Sequence, residues 1–199
     1  LGDTPVTQNV YEAVTGENPS EFQSPDRPVD SVSWDDAVAF TKSLTRLFEH
    51  EHETFNASRD MFRLPRESEW ERACRAGTST ATYAGGMDAK DEAGVPLLRR
   101  IAWYDENSAE GYELSNGRDP QSYEKAAKPE DARAGTHPVK RLEPNAAGLY
   151  DTLGNVWEWC EDRWHDDYEA APVDGRAWVE GLSGLRVLRG GRYFFPADY

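Results

Sequence analysis

Two thiols, four histidines and one carboxylate set among tryptophans are the side chains of this sequence with the clearest chemical potential. Two cysteines, Cys74 and Cys160, cannot build a disulfide framework. A reducing setting, and with it the cytoplasm, is therefore the expected compartment, while a single bridge between the two stays open. Cys74 falls on the apolar face of an expected helix and reads as a buried thiol. His50 and His52 alternate with Glu49, Glu51 and Glu53. That spacing can chelate a metal, but a solvated, charged helix end is the simpler reading. His137 and His165 lie in expected loops with no second histidine or carboxylate at a recognisable iron-ligand spacing, and Asp166-Asp167 beside His165 reads as a solvated turn.

The carboxylate is Glu158, in Gly154-Asn155-Val156-Trp157-Glu158-Trp159. Along a strand, Trp157 and Trp159 face one way, and Val156, Glu158 and Cys160 face the other. A carboxylate in such apolar surroundings is costly unless it is paired or bound to a metal. Two readings stay open: an ion pair with an arginine such as Arg63 or Arg189, or a cation.

The elements that must position these groups are short. Among 199 residues, 38% are hydrophobic and 12% aromatic, enough for a core in one large domain. The 16 Gly and 12 Pro point to a loop-heavy fold, stabilised by a few dense aromatic clusters. Thr7 to Val14 reads as a short helix stopped by Gly16. The first of two principal early helices starts at Ser33, where Ser33-Trp34-Asp35-Asp36 has the capping-box form, and continues through Ala37, Phe40, Leu44, Leu47 and Phe48 at helical spacing. Phe62-Arg63-Leu64-Pro65 looks like a short strand. The second principal helix runs over roughly Arg66 to Arg75, with Gly77 as its stop. From Gly77 to about Gly135 the chain is mostly loop, and 106–134, polar and poor in aliphatic residues, reads as a surface insertion. Short apolar pieces follow at Gly148 to Tyr150, Val156 to Trp159 and Arg186 to Arg189. Early helices and late short antiparallel strands give an α+β fold.

Charge excludes some roles. Lys and Arg number 22 against 37 Asp and Glu, a net charge of −15, which disfavours nucleic acid as a partner. No stretch has the length of a membrane span, and the N-terminus is not a signal peptide. Asn56-Ala57-Ser58 is formally a glycosylation sequon and matters only in a secreted protein.

Six segments, in order along nearly the whole chain, resemble the formylglycine-generating-enzyme (sulfatase-modifying factor) family. They are Thr4-Pro5-Val6-Thr7-Gln8, the stretch from Pro28 to Ala37, the stretch from Arg63 to Glu71, Asn145-Ala146-Ala147-Gly148-Leu149-Tyr150-Asp151, Gly154 to Trp159, and Val187-Leu188-Arg189-Gly190-Gly191. The resemblance implies a C-type-lectin-like fold covering 1–199 as one domain, with the sequence beginning and ending inside the family pattern. It also implies a structural calcium site formed by the Asp151 and Glu158 side chains with the Gly154 and Val156 carbonyls. All-oxygen ligands of that kind suit a hard cation.

The family's oxidase chemistry is where this sequence departs. The enzymes are similar in carrying Gly-Gly-Ser-Tyr-x-Cys and a further cysteine, whose soft thiolates bind copper. Here Gly190-Gly191 leads into Arg192-Tyr193-Phe194-Phe195, so Phe195 stands at the first cysteine position, and the second would fall past Tyr199. Phenylalanine binds no metal, so no copper is expected. The iron-dependent sulfoxide synthases of the same superfamily hold iron with histidines of a preceding helical domain that has no counterpart in this sequence, so no iron is expected either.

A third group resembling this fold is the retroelement-diversified variable proteins, which use the scaffold as a binding platform and vary just after an Arg-Gly-Gly-type segment. In this sequence that place holds Arg192, Tyr193, Phe194, Phe195, Asp198 and Tyr199, the residue types that binding surfaces favour. A core role for Tyr193 is expected from the family pattern. Neighbours on a strand alternate faces, so at least one of Phe194 and Phe195 should lie at or near the surface. The expected function is a non-catalytic domain binding a protein or small ligand. The alternative is an oxidoreductase of the superfamily with a different metal site.

Overall fold

The computed structural model describes residues 1–51, 61–94, 96–119, 133–181 and 184–195. Its regular elements are α1 (Gln8–Thr15), α2 (Trp34–Glu51), α3 (Glu67–Arg75), a 3-10 turn (Leu97–Arg100), β1 (Glu158–Arg163) and β2 (Arg186–Arg189). The architecture is α+β with much irregular loop.

Local chemistry accounts for the helix ends. Thr7 caps α1 by accepting a hydrogen bond from Val10 N, and Gly16 closes it in the left-handed conformation at φ 83°. At the start of α2, Asp36 N donates to Ser33 Oγ at 3.2 Å while Ser33 N donates to Asp36 Oδ2 at 3.1 Å, the reciprocal capping box. Glu69 reaches back in the same way to Arg66 N at 2.9 Å. The left-handed stop of α3 falls on Ala76, at φ 47°, one residue before the expected Gly77. His52 and Glu53 lie outside the described residues.

Two expected strands do not form. In Phe62–Pro65, Pro65 O accepts one bond from Glu161 N at 2.8 Å, but proline has no N–H with which to continue a ladder. The stretch from Gly148 to Tyr150 is a turn closed by Asn145, whose Oδ1 accepts from Leu149 N at 3.1 Å. β1 and β2 do pair, antiparallel, with Glu158 opposite Arg189, Trp159 opposite Leu188, and an irregularity between Trp159 and Arg163.

Among the described residues, three small clusters make up the core. Trp70, Cys74, Cys160 and Val187 join α3 to the sheet. Leu98, Ile101, Ala102 and Tyr104 form a second cluster around the 3-10 turn. Phe22, Ala134 and Tyr193 tie the N-terminal loop to the C-terminal turn. The α1–α2 pair packs through the stacked rings of Tyr11 and Phe40, 5.2 Å apart.

The 106–134 stretch is not wholly a surface insertion, because its described ends are packed inward: Asn107, Ser108 and Ala134 are buried. The reason is steric as well as polar. The Tyr112 ring stands where any Cβ on Gly117 or Gly135 would be, so two glycines admit one tyrosine into the interior. Residues 120–132 lie outside the described set.

Candidate functional site

The loop that carries the expected calcium ligands is tightly wound. Asp151, Gly154 and Asn155 all have positive φ, at 54°, 73° and 62°. At Gly154 this is obligatory, since a Cβ would lie 2.7 Å from Trp103 N and closer still to its carbonyl oxygen. Asn155, fully buried, is the bolt of the loop. Its side chain accepts from His137 N at 2.8 Å and donates to His137 O at 3.0 Å, and its backbone N–H donates to Trp103 O at 2.8 Å. His137 stacks on Trp103 at 3.7 Å and contacts Ser108 O through Nε2 at 2.7 Å. Burial lowers its pKa to about 4, leaving it neutral.

Within this frame the two carboxylates differ. Asp151 accepts from Lys140 N at 2.8 Å and Asn155 Nδ2 at 3.4 Å, and burial raises its pKa. Glu158 is half-buried as a residue, but its carboxylate is turned inward: it accepts one bond, from Trp70 Nε1 at 3.1 Å, while its Oε1 is shut off from solvent without a partner. Burial first, and then the charge of Asp151, raises its pKa to about 7. Neither arginine considered for Glu158 is its partner: Arg63 pairs with Glu69 at 2.8 Å, and Arg189 pairs with Glu67. The carbonyl oxygens of Thr152 and Val156 both flank Gly190. An orphaned buried carboxylate oxygen, a second carboxylate whose charge reaches it, and nearby loop carbonyls make a donor set that fits a hard cation. Among the described residues no group of three or more His, Cys, Asp or Glu stands together as a metal site. A calcium here would therefore draw on two carboxylates and on backbone oxygens.

The C-terminal residues form a turn rather than a closing strand. Tyr193 N donates to Asn155 O, Phe195 N to Arg192 O, and Asp105 N to Phe195 O, each at 3.1 Å. Tyr193 is buried edge-on against Phe22 at 5.3 Å, the core role expected of it. Phe194 and Phe195 are both half-buried. The guanidinium of Arg118 lies 5.8 Å from the Phe194 ring centroid, and Phe195 packs edge-on against Trp157 at 5.8 Å. Asp198 and Tyr199 lie outside the described residues.

This turn borders a groove of about 830 Å³ between the α1–α2 pair and the sheet. Tyr11, Phe40, Leu64, Trp157, Trp159 and Leu188 line it, with Arg192 and Tyr193 at one side. Trp159 is held by a bond from Nε1 to Val32 O at 3.0 Å. The groove and the carboxylate loop share the extended stretch from Val156 into β1, in which Trp157 and Trp159 line the groove while the Glu158 carboxylate and Cys160 pack toward Trp70. Period-two alternation in the sequence anticipates that division.

Other expected residues sit elsewhere. Cys74 and Cys160 are free, buried thiols, and burial pushes both pKa values up. His165 stacks on Trp178 at 3.4 Å with both ring nitrogens on backbone oxygens, those of Arg163 and Glu180, so it serves its own loop. Gln8 is a hub the sequence reading did not single out by its chemistry. Its amide donates to Phe22 O and Pro28 O and accepts from Asn18 Nδ2 and Ser24 N, fixing the N-terminal loop that forms one groove wall.

Residues 4–199 match the sulfatase-modifying factor enzyme 1-like domain, and the chain belongs to that family. Its relatives include both working and non-working members. The formylglycine-generating enzyme of Streptomyces coelicolor is 36% identical over 178 residues, covering 88% of this chain and 45% of the relative. The inactive C-alpha-formylglycine-generating enzyme 2 of Bos taurus is 31% identical over 172 residues, 86% of this chain and 40% of the relative. Among solved structures, Treponema denticola variable protein 1 superposes with a TM-score of 0.71 at 30% identity, covering 99% of this chain and 74% of that one. The fold is thus the C-type-lectin-like fold of this family. The chain spans about half the length of the curated enzymes it matches. No helix among the described residues is long and apolar enough to cross a membrane.

Proposed function

We propose that this chain is a non-catalytic binding domain whose binding surface is the groove bordered by Arg192–Phe195, on a scaffold clamped by a calcium ion at Asp151 and Glu158. The observation that carries the reading is Phe195. At the position where the family's oxidases place their first metal-binding cysteine, an aromatic ring packs on Trp157, and both cysteines of the chain lie buried on the Trp70 side of the sheet. A phenyl ring offers contact area and no ligand atom. The likeness to a variable protein and to an inactive family member supports the same reading. It extends to the proposal that the stretch from Arg192 to Tyr199 is the diversified one, its residue types being reachable by mutating the adenines of an asparagine codon.

The calcium would be held by the Glu158 and Asp151 carboxylates and the Gly154 and Val156 carbonyls. It supplies charge neutralisation to an otherwise uncompensated buried Glu158. The competing reading, an oxidoreductase with another metal site, is favoured by the enzymes among the relatives. One experiment separates the two: copper(I) loading followed by oxygen-uptake and aldehyde assays on a cysteine-containing peptide. The expected outcome is no retained copper and no aldehyde. Stoichiometric copper with turnover would overturn the reading.

A further inference from the structure

The charged residues lining the groove are Glu21, Asp30, Arg63, Arg118, Glu158 and Arg192. Five of them are accounted for. Glu21 and Arg118 pair at 3.0 Å, and Arg63 pairs with Glu69. Asp30 accepts from the backbone of Glu21 at 2.8 Å and of Phe22 at 3.4 Å. Glu158 turns its carboxylate to Trp70 and the calcium loop. Arg192 remains. Its Nε is buried without a hydrogen-bond partner, and among the described residues it makes no ion pair. Its guanidinium lies 4.6 Å over the Phe195 ring, a stacked arrangement that holds the planar group in place beside the groove.

An arginine left without an acid among the described residues, in a chain of net charge −15, presents an available positive charge beside the groove. Stacking on Phe195 has already restricted the side chain, so little rotamer freedom remains to be lost when an anion binds. A carboxylate fits a guanidinium with two parallel hydrogen bonds. A polyanion is opposed by the overall charge, and the aromatic and aliphatic walls call for apolar groups on either side of a single negative one. We infer that the groove takes a peptide segment in which one carboxylate is flanked by apolar side chains, and that Arg192 holds the carboxylate. This deepens the binding-domain reading and rests on it.

The test uses two capped pentapeptides, acetyl-Leu-Phe-Glu-Phe-Leu-amide and its Gln analogue, titrated against the protein by the fluorescence of the groove tryptophans. Wild type should bind the Glu peptide about tenfold or more tightly than the Gln peptide, the effect of one charge-assisted contact. Arg192→Gln should erase that preference by weakening the Glu peptide alone, and Arg192→Lys should restore part of it. Arg192 is half-exposed, so melting curves of the variants should match wild type and keep the comparison free of folding defects. Equal binding of both peptides by wild type would overturn the role of Arg192 and leave the groove as a binding surface. Binding of neither would overturn the groove reading itself.

Discussion

The 151–158 loop and the 192–195 turn are joined by the bond from Tyr193 N to Asn155 O and by the Phe195 ring on Trp157, but they dispose of their polar groups differently. In the loop, Asn155 is satisfied on all sides and three left-handed residues leave no slack. Its unanswered groups are the Thr152 hydroxyl and the buried Oε1 of Glu158, the latter the one that can carry charge. In the turn, backbone bonds fix the chain while Arg192, Phe194 and Phe195 stay half-exposed, and the unanswered group is a cation beside an open groove. In the function proposed above, the first takes an ion that stabilises the fold and the second a ligand that arrives from solution. Conformational strain in the first region gives the second a rigid base.

Changes in the loop should therefore cost stability, and changes in the turn should cost binding. The largest effect is expected for Gly154→Ala, which forces a Cβ into the Trp103 backbone at φ 73°. A loss on the order of 4 kcal/mol in urea denaturation would place it among the severe backbone substitutions, whereas a loss within the ordinary range would mean that the loop can shift.

Next is the pH dependence of the metal-free protein. Glu158 holds its proton up to about pH 7 in the fold and releases it near 4.5 when unfolded. Its contribution is therefore fully present below 4.5 and is lost as pH rises to 7, by about 3 kcal/mol. His137, lowered to about 4, works in the opposite sense, losing stability as pH falls from 6.5 to 4. The two oppose each other in the same interval, so the wild-type profile should be shallow. Glu158→Gln should remove that opposition and shift the profile toward the rise with pH that His137 contributes between 4 and 6.5. An unchanged profile in Glu158→Gln would remove Glu158 from the account.

The smallest effects on folding belong to Phe194→Ala and Phe195→Ala. Both rings are half-buried, so each change should cost no more than about 1 to 2 kcal/mol. Peptide affinity should nevertheless fall for Phe195→Ala, because the ring that positions Arg192 is gone. A large stability loss at Phe195 would make it a core residue and blur the distinction between the two regions.

Much of this was legible before any coordinates. The Gly16 stop, the capping box at Ser33 and the helical spacing through Phe40 place α1 and α2, since helix ends and amphipathicity are local and the sequence writes them directly. Alternation along Trp157-Glu158-Trp159-Cys160 separates the groove from the carboxylate side for the same reason. What the sequence hides is contact between distant segments. Gln8 bridging the 18–28 loop, Tyr112 entering between Gly117 and Gly135, and Asn155 clasping His137 have no local period. The strands expected at 62–65 and 148–150 fail because a ladder needs donors that Pro65 lacks and that Asn145 diverts. That Arg192 makes no ion pair among the described residues was equally illegible, because it depends on where distant acidic residues go.

The most direct test of the central claim is the metal content of the purified protein by elemental mass spectrometry, before and after mild chelation, with the melting temperature followed in parallel. One calcium per chain, no copper or iron, and a lower melting temperature after chelation are the results this account predicts. Stoichiometric copper or iron, or a calcium-free protein whose melting chelation does not alter, would contradict it.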